Sequence, residues 1–212
     1  MGARHRLSDP NARRDAIDNS PEPEPPDMVL KESDSELDRG DRAPAFDLPG
    51  VDGETYSPDD FDAEALLVVF TCNHCPYAQA KFSVLNELAA DYDDLAVVGI
   101  NPNDAEAYPD DSFERMRELV ADGTVAYDAY LRDEKQSVAA AYGAVCTPDP
   151  FLFGREDGEW VLRYHGRLDD APNPDDEPSE IYVRQAVESI LAGEPVDLPD
   201  RPSRGCSIKW KD

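Results

Sequence analysis

The chain has 212 residues, enough for one domain with a real core, and 47 acidic against 20 basic side chains give it a formal charge of -27. A surface of that sign repels nucleic acid and anionic membrane, so neither is expected as a partner. No apolar run approaches the roughly 18 residues of a membrane span, no signal-peptide core opens the chain, and four cysteines are too few for a disulfide scaffold, so a cytoplasmic protein is the expectation.

Residues 1–40 carry almost no hydrophobic pattern, and Ser20 to Pro26 is acidic and proline-rich, so this segment is expected to be disordered. Met28 begins a better-patterned stretch, so a translation start there is an expectation alongside Met1. Ordered structure is expected from near Ala43. Val51 to Tyr56 contains an Asp52-Gly53 hairpin turn, and Ser57 to Phe61 starts a short helical turn. Leu66-Leu67-Val68-Val69-Phe70 does not alternate, which predicts a strand buried on both faces. After Cys75 the period changes: Ala78, Phe82, Leu85 and Leu88-Ala89 recur at helical spacing up to Ala90.

Cys72 and Cys75 thus stand three residues apart where a strand turns into a helix. Such a turn points free backbone N–H groups and the positive end of the helix dipole at whatever lies there. Both favour a thiolate, the form of cysteine that attacks disulfides. His74, when protonated, would stabilise the Cys72 thiolate further and favour the reduced dithiol. This predicts Cys72 as the more exposed, more acidic, attacking sulfur and Cys75 as the resolving one. A structural zinc knuckle would need two more ligands at a compact second site. The remaining candidates (Cys146, Cys206, His165 and His5) are scattered, so no metal and no cofactor is expected.

Leu95 to Ile100 reads as a second buried strand. It ends in Asn101-Pro102-Asn103-Asp104, which is either a neighbour of the cysteine pair, since loops at strand carboxyl ends line the crevice of an open α/β sheet, or a plain turn of ordinary turn composition. A helix follows over 113–120, capped by Asp111 or Ser112. Then come a strand over 125–131 and an alanine-rich helix over 134–141. A strand at Phe151–Phe153 pairs with Trp160–His165 through a turn at Glu156-Asp157-Gly158. Residues 172–178 form a polar loop, and 181–191 an amphipathic helix stopped at Gly193. The tail, 194–212, ends Arg204-Gly205-Cys206-Ser207-Ile208-Lys209-Trp210 and is expected to dock on the domain.

Several of these stretches resemble the thioredoxin-like superfamily in its AhpC/TSA, or redoxin, branch, over residues 41–193. Ala43-Pro44-Ala45-Phe46-Asp47-Leu48 with Asp52-Gly53 resembles the redoxin opening hairpin, and Cys72-Asn73-His74-Cys75 is similar to the thioredoxin redox site in an oxidising, His-bearing variant. Tyr142-Gly143 through Pro148 to Phe153 matches the thioredoxin stretch that holds a cis-proline. Asn101 to Asp104 and the terminal Gly205 to Trp210 resemble the peroxiredoxin-like thioredoxin subfamily. The resemblance implies an α/β fold with a mixed central sheet flanked by helices and an N-terminal β-hairpin. It also implies a cis Thr147–Pro148 bond, with Thr147, Pro148 and Thr71 (where thioredoxins carry Trp) positioning a substrate strand.

The departures bear on activity. Cys75-Pro76 resembles the peroxidatic Cys-Pro of peroxiredoxins, but Cys72 stands where they carry Thr. Val145 to Pro150 also lacks the Arg they place ahead of the matching strand, which argues against fast peroxidase chemistry. The expected function is a thiol–disulfide oxidoreductase acting on a protein disulfide and served by a thiol reductant system. The alternatives are a thiol-dependent peroxidase with peroxide as substrate, and a redox-inactive binding module. Cys206 is expected to be a small buried residue in a tail anchored by Ile208 and Trp210, with a third redox cysteine, Cys206 or Cys146, as the rival reading. The acidic, lysine-poor composition is like that of proteins from salt-in halophiles, where a Debye length of about 3 Å at molar salt screens the self-repulsion.

Overall fold

The computed structural model describes residues 29–199 and 201–211. The expectations for Ser20–Pro26, His5 and the start at Met28 lie outside the described residues. Strand β4 (Ala65–Phe70) is the spine, and all six of its residues are buried. Leu66, Val68 and Phe70 enter one apolar layer, while Ala65, Leu67 and Val69 enter the other. This explains the unbroken apolar run: a strand sandwiched between two layers has no wet face. Each of these larger side chains contributes about 1.5–3 kcal/mol by its burial.

β5 (Leu95–Asn101) and β6 (Ala129–Arg132) continue the sheet in parallel on one side. On the other side β8 (Asp149–Glu156) pairs antiparallel with β4, and β9 (Glu159–His165) antiparallel with β8, giving the order β6-β5-β4-β8-β9 and the mixed sheet expected. β8 and β9 join through Asp157 and Gly158, both at positive φ, the conformation a two-residue hairpin turn demands. β2 (Leu48–Pro49) and β3 (Thr55–Tyr56) form the N-terminal hairpin around Asp52-Gly53.

The helix expected from Ala78 to Ala90 is broken into α1 (Pro76–Gln79) and α2 (Phe82–Asp91). At the break the Lys81 ammonium reaches the buried Asp169 carboxylate at 2.8 Å. α3 (Phe113–Ala121) takes Ser112 as its cap. The strand expected over 125–131 begins only at Ala129, because the Asp128 side chain and backbone are both bonded to Val97. The alanine-rich helix starts late, as α4 (Ser137–Tyr142), because the Asp133 carboxylate accepts the Val138 and Ala139 amides. Pro150 does not end strand pairing as its missing N–H suggested; it sits opposite Val69 in β8, one residue beyond the end of the β9 ladder. α5 (Tyr182–Leu191) packs Val183, Ala186 and Val187 inward.

Residues 29–40 depart from the disorder expected of them. β1 (Leu30–Glu32) pairs with β10 (Arg204–Ser207), which in turn pairs with β7 (Cys146–Thr147) in a small second sheet. Ser33 donates to the buried Asp149 carboxylate, and Ser35 to the Tyr142 carbonyl. The sequence pattern misses this because β1 is exposed and draws its order from backbone pairing. In the tail Ile208 is buried as expected, but Trp210 is exposed and anchors nothing by burial. The anchoring comes instead from Lys209, whose amide bonds the Asn103 side chain and whose carbonyl accepts from Gln136. No helix among the described residues is long and apolar enough to cross a membrane.

Candidate active site

The cysteine motif sits where β4 ends and α1 begins, with Cys75 as the helix cap and Pro76 as its first residue. Both Cys72 and Cys75 are fully buried, which corrects the expectation of an exposed Cys72. The Cys72 sulfur is favoured as a thiolate by the backbone N–H groups of His74 and Cys75, the helix-start donors the motif promises. It also lies 3.1 Å from the Thr147 hydroxyl. These donors lose to the surroundings: burial, then the charge of Asp111, pushes the Cys72 thiol up to about 12. Cys72 is therefore a protonated thiol at neutral pH, not the acidic sulfur expected.

Asp111 is the site residue that sequence reasoning missed, having been weighed only as a helix cap. Its carboxylate accepts His74 Nδ1 at 2.6 Å, the Asn73 amide at 2.7 Å and the Asn103 side chain at 2.7 Å. Burial acts to raise its pKa, but the His74 imidazole, the Asn103 amide and the Asn73 N–H outweigh that and hold it below the ordinary carboxylate range. His74, stacked on Tyr108, thus addresses its ring to Asp111, and Cys72 feels the carboxylate behind it. Asn101 and Asn103 bring the Asn101–Asp104 loop against this cluster, and Arg132, also missed, is buried there with its guanidinium on the Asn101, Asn103 and Asp111 carbonyls. The donor atoms of Cys72, His74 and Asp111 lie within 4.8 Å of one another, so these three could hold a metal. A search for cysteine and histidine ligands alone overlooks the carboxylate.

The other wall is the loop ahead of β8. The Thr147–Pro148 peptide is cis, as the match to the thioredoxin stretch implied. The Cys75 sulfur lies 3.6 Å from the Thr147 carbonyl oxygen. Cys75 is not bonded to Cys72: it forms a disulfide with Cys206, 131 residues away, across a Cα–Cα span of 6.3 Å. This span is ordinary for a disulfide. It also corrects the view of Cys206 as an inert apolar residue. Cys146 is a free buried thiol, raised by burial and then by Asp149. Thr71 is fully buried, with a hydroxyl that has no hydrogen-bond partner among the described residues, so it faces no substrate in this arrangement.

His165 belongs to a separate cluster with Ser33 and Asp149. Both partners approach the same ring nitrogen, Nε2, at 3.0 Å, so the three cannot pass a proton from serine through the ring to the carboxylate. They fasten the segment after β1 to the sheet.

A mixed five-stranded sheet, a cysteine motif at the β4–α1 turn and a cis-proline facing it define a thioredoxin-like redoxin. The AhpC/TSA family model matches residues 39–165, and the chain belongs to that family. Among solved structures it is similar to an uncharacterised conserved protein from Geobacillus kaustophilus, at 39% identity over 87% of this chain and 97% of that one, with a TM-score of 0.78. A hypothetical protein from Sinorhizobium meliloti shares 42% identity over 85% and 98%, with a TM-score of 0.77. A thioredoxin-like protein from Aeropyrum pernix, 18% identical over 70% and 89%, shares the fold at a TM-score of 0.51. No functionally curated protein matches.

Proposed function

We propose that the protein is a thiol–disulfide oxidoreductase whose exchanging sulfur is Cys75, with Cys72 as the thiol that displaces a partner from it. The observation that carries this reading is the convergence of three cysteines on Thr147. Cys72 meets its hydroxyl, Cys75 its carbonyl, and Cys206, bonded to Cys75, stands opposite it in the strand register. The bond from Cys75 to a strand-borne cysteine favours the reverse of the order expected from the motif. A mixed disulfide on Cys75 is resolved when the Cys72 sulfur attacks Cys75 Sγ: the Cys72–Cys75 bond forms and the partner leaves as a thiol. His74, through Asp111, sets how readily Cys72 loses its proton.

Peroxide reduction is the second reading, favoured by Cys75-Pro76 and by the involvement of Cys75 in the disulfide. There the Cys75 thiolate would take one peroxide oxygen as a sulfenic acid and release an alcohol or water, and Cys206 would condense with it, losing water. The fully reduced protein, mixed separately with oxidised glutathione and with hydrogen peroxide, distinguishes the two by the rate of thiol loss. Faster reaction with the disulfide, abolished in Cys75→Ser, is expected. Faster reaction with peroxide would transfer the assignment to the second reading, and inertness to both would leave a binding module.

A further inference from the structure

The strand covering Thr147 is the chain's own C-terminal segment. β10 pairs antiparallel with β7 in the register Cys206 to Thr147 and Ser207 to Cys146, while β1 lines its far edge. The Ser207 amide donates to the Val29 carbonyl at 2.7 Å and the Ile208 amide to the Val145 carbonyl at 3.0 Å. The residue before the cysteine is constrained most tightly. A Cβ built on Gly205 would overlap the Thr147 carbonyl and crowd the Pro148 nitrogen. Both are backbone atoms in the wall of the site, so they cannot swing aside as a flexible side chain would, and only glycine passes there. The requirement is imposed by the Thr147–Pro148 loop on whatever strand carries a cysteine to Cys75.

We propose that the β7 groove binds extended segments bearing a Gly-Cys pair, and that Arg204–Ser207 is its resident occupant, yielding the seat to a client segment of the same kind. This rests on the exchange chemistry proposed above and names its substrate class. The step balances within three sulfurs. The Cys72 thiol loses its proton and attacks Cys75 Sγ; the Cys72–Cys75 bond forms, the Cys75–Cys206 bond breaks, and Cys206 leaves as a thiolate that takes up a proton. The tail is then held without a covalent bond, by its backbone pairing and by the contacts of Ile208 and Lys209. In the reverse direction a Gly-Cys thiol, from the tail or a client, attacks Cys75 of the Cys72–Cys75 disulfide and Cys72 leaves. No outside oxidant or reductant is consumed.

The test uses the full chain. Cys206→Ser protein, oxidised to the Cys72–Cys75 disulfide, is mixed with the peptide Arg-Gly-Cys-Ser-Ile-Lys or with Arg-Ala-Cys-Ser-Ile-Lys, quenched in acid and mapped by mass spectrometry. The glycine peptide should form the mixed disulfide on Cys75 at least tenfold faster. In a second arm, mild oxidation of Gly205→Ala should give at least tenfold less Cys75–Cys206 bond than wild type, with Cys72–Cys75 in its place. Equal yields from the two peptides, no adduct from either, or a wild-type level of the Cys75–Cys206 bond in Gly205→Ala would each overturn the proposal. If Gly205→Ala does not fold, the peptide arm decides. Exchange of the reduced protein with oxidised glutathione, run alongside, separates the two claims: if it persists, the exchange chemistry survives a failure here, and if it is absent, that chemistry fails on its own account.

Discussion

The Asp111 carboxylate stands within 4.8 Å of the Cys72 sulfur, and the two are buried together beneath His74. A negative charge at that distance in a poorly solvated pocket opposes a thiolate strongly. Asp111→Asn keeps the shape of the side chain and removes the charge. Alkylation of Cys72 at pH 8, in protein with the Cys75–Cys206 bond intact, should rise roughly tenfold relative to Cys146 as internal reference, about one pKa unit's worth. An unchanged ratio would mean that burial alone protects the thiol.

The same elevation makes the fold sensitive to alkali. In the unfolded chain Cys72 ionises at its ordinary pKa of about 8.5, whereas in the folded chain it ionises only near 12. Below the unfolded value both states hold the proton and stability is complete. Above it the unfolded state releases a proton that the folded state keeps, so stability falls as pH rises through the folded value. Urea midpoints measured from pH 7.5 to 10 should decline, and less steeply in Cys72→Ala. Identical slopes for the two proteins would show that Cys72 does not contribute.

Lys81 and Asp169 form a buried pair, their side chains 11% and 1% exposed, at the break between α1 and α2. Lys81→Met leaves the carboxylate without its cation and should cost about 3–5 kcal/mol, since breaking a buried pair strands a charge. Replacing both residues, as Lys81→Met with Asp169→Leu, should recover most of that loss. A single variant as stable as wild type in chemical denaturation would show that the pair is not held as a buried ion pair in solution.

The charge of -27 predicts salt-dependent folding. Ion pairs such as Arg184 with Asp91 and Arg115 with Glu118 neutralise only a few of the exposed carboxylates. Raising KCl from dilute to molar should raise the melting temperature by several degrees as carboxylate repulsion is screened. A temperature that stays flat or falls would refute the reading of the composition as a high-salt adaptation.

Periodicity and local chemistry carried much of this protein. The unbroken Ala65–Phe70 run, the change of period after Cys75 and the Asp-Gly turns are local signals, so the core strand, the cysteine-bearing turn and the hairpins could be read directly from the residues. The Thr147–Pro148 loop was legible through its resemblance to known sequences. What local reading could not supply was distance. Asp111 lies 39 residues from Cys72 in sequence and looked like a helix cap, yet folding buries the sulfur and brings this carboxylate beside it, and burial first and the charge second reverse the acidity the helix start implied. Leu30–Glu32 and Arg204–Ser207 are too short and too little patterned to declare themselves, because their order comes from pairing with each other and with β7. The choice of Cys206 over Cys72 as the partner of Cys75 was likewise made by tertiary structure. Sequence spacing favours the near cysteine, but disulfide bonding depends on where backbone pairing sets the two sulfurs, and β10 delivers Cys206 to Thr147.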